Sequence, residues 1–70
     1  MLLADADKLP AHQKYVMIAI AAGYQTTKQI KRFALGQGGV DVQDTAQALS
    51  ELYNDGKIVM GDTLEHWRLP

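Results

Sequence analysis

The stretch "DVQDTAQALSELYNDGKIVM", residues 41–60, decides the fold. Asp41 is a good N-cap, because its carboxylate can accept hydrogen bonds from the first-turn amides. Asp44 adds negative charge where the helix dipole favours it. Val42, Thr45, Leu49, Leu52 and Tyr53 recur at helical spacing and predict a buried face on a helix over 42–54. Asn54, Asp55 and Gly56 end it, glycine being the residue that closes a helix in the left-handed conformation. The following Lys57 to Met60 is rich in β-branched and apolar side chains, so the chain passes from helix to strand within a few residues.

Working forward, "GD" at 61–62 is a turn signal, and residues 63–69 continue extended, which predicts a hairpin whose turn includes Gly61 and Asp62. A two-residue turn would set Ile58 opposite Glu65. A four-residue turn over 61–64 would set Ile58 opposite Trp67, and this register is preferred because it joins two large apolar side chains on one face.

Working backward, "TTKQIKRFAL" opens with Thr26 followed three residues later by Gln29, the spacing of a capping box. It predicts a helix over 27–35, with Ile30, Phe33 and Ala34 inward and Lys28, Lys31 and Arg32 outward. Gly36, Gly38 and Gly39 read as its break and as a flexible connection. An earlier helix over 10–22 starts at Pro10 and is closed by Gly23. It carries two apolar stripes, one of Tyr15, Ile18, Ala19 and Ala22, the other of Val16, Met17 and Ile20. Two readings of the second stripe stand: it is core, or it is a homodimer face; the two stripes together suggest a dimer through this helix, with Met17 and Tyr15 as contacts. Leu2 and Leu3 are a further candidate cover for it.

Seventy residues make one small domain, here residues 9–70 after an N-terminal extension over 1–8. The chain has no cysteine, so neither disulfides nor thiolate zinc can support the core. The apolar run at 15–22 is too short to cross a bilayer, and the start carries Asp5 and Asp7 without a basic region or cleavage pattern. The expectation is a cytoplasmic protein with no membrane role. The only histidines are His12, expected on the surface of the first helix, and His66. Neither stands in a metal-binding motif, and Ser50 sits mid-helix without an elbow motif. No cofactor, metal or enzymatic activity is therefore expected.

Three helices and a hairpin in this order give an α+β fold, and the segment "DVQDTAQALSELYNDGKIVM...EHWRL" resembles the winged helix-turn-helix family of bacterial and phage regulators. The residues that carry the resemblance are Ala48, Leu49, Leu52, Gly56, Ile58 and the late aromatic Trp67. The resemblance implies a winged helix, a three-helix bundle followed by a two-stranded wing, with the third helix entering the major groove of duplex DNA. Transferred to this sequence, the candidate DNA-binding residues are Thr27, Lys28, Lys31 and Arg32 beside the phosphates, and Gln43, Asp44 and Gln47 near the start of the third helix. Gln43 and Gln47 stand one turn apart and suit adenine edges.

A second function class follows from charge. The formal net charge is −1, and Asp41, Asp44, Glu51, Asp55, Asp62 and Glu65 suit an interaction module for a basic protein partner, or a nucleic-acid mimic. Salt-dependent binding to duplex DNA, set against binding to a basic protein, separates the two classes.

Overall fold

In the computed structural model, residues 8–61 and 65–70 are described. The elements are α1 (Ala11–Ala21), α2 (Thr27–Gly38), α3 (Val42–Asn54), β1 (Val59–Met60) and β2 (Trp67–Arg68). The architecture is a small α+β arrangement of three helices and a two-stranded antiparallel hairpin. The expected extension over 1–8, with Leu2 and Leu3, lies outside the described residues except for Lys8.

Pro10 is the N-cap of α1 rather than its first helical residue, and its carbonyl accepts from the amides of Gln13 and Lys14. Val16, Met17 and Ile20 are buried, which makes the second stripe core, and Ala19 of the first stripe is buried with them. Met17 is 2% exposed in a single chain and is closed to a partner, so the homodimer contact expected of it is overturned. Of the first stripe, Tyr15 and Ile18 are half-buried and Ala22 is exposed.

The α2 helix has the capping box its sequence encodes: the Gln29 amide donates to Thr26 Oγ1 at 3.2 Å, and the Thr26 amide donates back to Gln29 Oε1. It runs three residues past its expected end at Leu35. Gly36 and Gly38 take helical angles, and the helix closes at Gly39, whose φ of 64° is left-handed. Gly38 serves packing, not flexibility. A Cβ there would overlap the Tyr15 ring of α1, so glycine lets the two helices meet at this point. Gly38→Ala should therefore destabilise by about 1–2 kcal/mol, the steric cost outweighing alanine's gain in helix propensity. Chemical denaturation checks this, and a stabilised variant would show that the Tyr15 ring swings aside freely.

Asp41 caps α3 as expected, accepting from the Gln43 amide at 3.0 Å. Its buried face is Thr45, Ala48, Leu49 and Leu52. Val42 and Tyr53, expected on that face, are 44% and 43% exposed. They lie at the edge of the stripe, where a helix turns its side chains out of the core. The Lys57 amide still donates to the Leu52 carbonyl, so the chain is turning until Ile58 and β1 begins only at Val59.

The hairpin register pairs Val59 with Arg68 and Met60 with Trp67. Trp67 thus faces Met60, not Ile58, and the expected register is displaced by two residues. A displacement of two keeps each side chain on its face. Ile58 and Trp67 accordingly both reach the core. Gly61, the residue after β1, donates its N–H to the His66 carbonyl at 2.7 Å. Asp62 and the rest of the expected turn, 62–64, lie outside the described residues.

One further link has no counterpart among the sequence expectations. Thr26, in the α1–α2 connection, forms an antiparallel bridge with His66. The Trp67 amide donates to the Gln25 carbonyl at 2.7 Å, and the Thr27 amide donates to the Glu65 carbonyl at 2.9 Å. The start of α2 thereby lies along the outer edge of β2, and the hairpin is fixed to the helices by backbone as well as by packing.

Candidate nucleic-acid interface

The buried face of α3 determines what its opposite side offers. With Thr45, Ala48, Leu49 and Leu52 inward, Gln43, Gln47, Ser50 and Asn54 fall on the outward side, at spacings of four, three and four residues. All four are exposed. Each is uncharged and can both donate and accept hydrogen bonds. Two of them, Ser50 and Asn54, were not among the sequence candidates, although continuing the spacing of Gln43 and Gln47 along the helix would have reached them.

The acidic residues of α3 stand elsewhere. Asp41 spends a carboxylate oxygen on its own helix terminus. Asp44 is exposed in the first turn, two turns before Glu51 and thus on the same flank. Glu51 faces α1: its Oε1 accepts from His12 Nε2 at 2.8 Å and from Gln13 Nε2 at 2.9 Å. Its Oε2 accepts from Gln47 Nε2 at 3.2 Å. His12, expected as a plain surface residue, is instead half-buried in this bridge between helices.

Hydrogen bonds from Gln13, His12 and Gln47 hold the Glu51 carboxyl below the usual glutamate range, because each favours the ionised form. A carboxylate with a depressed pKa in the folded state stabilises the fold above its unfolded pKa, and that contribution is lost as pH falls through the folded value. Glu51→Gln should therefore be less stable than wild type at neutral pH, with the gap closing in acid below the glutamate range. Urea midpoints measured across that window check the sign.

The cations on α2 divide between two shallow depressions. Lys28 and Lys31 line one of about 320 Å³ with Thr26, Thr27 and Glu65. Arg32 lines another of about 400 Å³ with Tyr24, Gln29, Phe33 and Gln37. The Tyr24 and Phe33 rings lie 5.3 Å apart beside it. The three charges thus face neighbouring concavities rather than one patch. Thr27, a candidate phosphate contact, is engaged within the fold, where its hydroxyl accepts from Trp67 Nε1 at 2.9 Å and donates to the Glu65 carbonyl at 3.3 Å. No signal in the sequence joins Thr27 to a residue forty positions away.

At the hairpin, Asp62 and Thr63 lie outside the described residues, and Glu65 is exposed. Among the described residues, no group of three or more His, Asp or Glu side chains could hold a metal ion, and no helix is long and apolar enough to cross a membrane. Neither a protein family, nor a curated protein, nor a solved structure matches the chain.

Proposed function

We propose that this chain is a winged-helix domain that binds duplex DNA, acting as a transcriptional regulator or an accessory protein on DNA, with α3 in the major groove. The observation that carries the reading is the outward face of α3, where Gln43, Gln47, Ser50 and Asn54 offer donors and acceptors with no charged group among them. Major-groove base edges present the matching donors and acceptors, and a good bidentate contact is worth about 1–3 kcal/mol of discrimination. Lys28 in the first turn of α2, together with Lys31 and Arg32 one turn on, supplies phosphate contacts that fix register without reading sequence. The order of three helices and a two-stranded antiparallel hairpin is compatible with a winged helix.

The competing interaction module needs its carboxylates gathered on one surface. Asp41 and Asp55 instead bracket the thirteen residues of α3, a separation of about 20 Å along the axis. Glu51 between them is bound to α1. Asp44 shares the flank of Glu51, so the acidic side chains of α3 leave its outward face uncharged, and that face is what favours the DNA reading.

The test is fluorescence anisotropy with labelled random duplex across a salt series, with a polylysine peptide as the second probe. Binding to duplex that weakens as salt rises is the expected result. Binding to polylysine with none to duplex would replace this reading with the acidic module.

A further inference from the structure

We propose that Glu51 is a positioning residue that sets which edge of the Gln47 amide meets a base, and so disfavours guanine at that position. The inference rests on the reading of α3 as the groove-facing helix. Its basis is the three-way grip on one carboxylate. His12 and Gln13, both from α1, donate to Glu51 Oε1 at 2.8 and 2.9 Å, which fixes the carboxylate relative to the core. The other oxygen, Oε2, is then held at 3.2 Å from Gln47 Nε2.

An ionised carboxylate only accepts, so the Gln47 group turned toward it must be the amide nitrogen. One of the two N–H groups of Gln47 is thereby occupied. The carbonyl oxygen and the second N–H remain for a ligand. That pair, one acceptor beside one donor, is complementary to adenine, which offers an N6 donor beside the N7 acceptor. Guanine offers two acceptors, N7 and O6, and asks for two donors from the same side chain. A glutamine free to rotate can turn its amino group to guanine. One held by Glu51 must first break that hydrogen bond. Gln43, the other outward glutamine, lies one turn nearer the helix start, and Asp41 contacts its backbone amide only. Positional discrimination is thus built at Gln47 from a residue that does not itself face the groove.

The experiment is selection from a randomised duplex library, with the bound fraction sequenced, for wild type, Glu51→Ala and Glu51→Gln. Wild type should show a position at which adenine exceeds guanine. Glu51→Ala should lose about twofold of that preference at the same position while keeping its preferences elsewhere. Glu51→Gln, whose amide oxygen can still accept, should retain part of it. The paired variant His12→Ala/Gln13→Ala frees the carboxylate from α1 and carries the same test should Glu51→Ala fail to fold. Wild-type-like preference in Glu51→Ala, or an equal loss at every position, would overturn the positioning role while leaving the DNA reading standing. A wild type that enriches no duplex would overturn the DNA reading itself. An NMR comparison of the Gln47 side-chain amide protons, free of DNA, separates the parts further: they should move to free-glutamine shifts in Glu51→Ala. Free-glutamine shifts already present in wild type would refute the grip.

Discussion

Leu52→Ala should cost about 2–5 kcal/mol and leave the domain largely unfolded under mild conditions. Leu52 is fully buried in the cluster that joins α1, α2 and α3 to the hairpin, beside Val16, Ile30, Ile58 and Trp67. Truncating it removes the transfer free energy of three carbons and leaves a cavity that elements held from several sides cannot collapse to fill. Seventy residues support a net stability on the order of 5 kcal/mol, so this one side chain is comparable to the whole. The control is Val42→Ala on the same helix, whose exposed side chain should matter by less than about 0.5 kcal/mol. Urea denaturation of both variants decides: equal midpoints would mean that the buried face of α3 is wrongly placed.

The largest expected effect on binding comes from replacing Lys28, Lys31 and Arg32 together with alanine. Each phosphate contact contributes about −0.9 to the slope of log affinity against log salt, so three give a slope of about −3. Wild-type affinity for duplex should then fall by roughly 40-fold between about 50 and 200 mM salt, while the triple variant is nearly flat and weak throughout. Because Lys28 and Lys31 line a different depression from Arg32, the partial variants should divide the effect. Lys28→Ala/Lys31→Ala should remove about two units of slope and Arg32→Ala about one. An unchanged slope in the triple variant would mean that α2 does not face the phosphates.

These expectations draw unequally on what the sequence makes legible. The α3 helix is readable because its cap, its spacing and its closing glycine all agree, and agreement between levels is what specifies a helix. Val42 and Tyr53 were misplaced because apolar spacing marks a stripe without marking its edges. Gly36 and Gly38 read as breakers because glycine costs helix propensity. Nothing local reveals that Tyr15, more than twenty positions earlier, needs the space at Gly38. In the hairpin, alternation fixes the face of each residue but not the offset between strands, which is why the register moved by two with Ile58 and Trp67 still in the core.

The candidate site divides in the same way. Gln43 and Gln47 came from the family resemblance, which marks the start of the third helix, and the Gln47–Glu51 contact is a neighbour pair four residues apart on that helix. The ties from His12 and Gln13 to Glu51 span almost forty residues. The same holds for the indole of Trp67 on Thr27. Such contacts depend on how the helices cross, and the crossing is set by the packing of all of them at once.

The only tryptophan of the chain is Trp67, and its surroundings make it an optical gauge. The ring is 9% exposed, donates its N–H to Thr27 and meets Tyr53 edge-on with ring centres 5.9 Å apart. Its emission therefore reports one event, the seating of the hairpin against the start of α2 and the end of α3. Far-ultraviolet dichroism is dominated by the three helices. Monitoring both signals through one denaturation separates detachment of the hairpin from melting of the bundle, with no label added to a surface that is to be tested for binding.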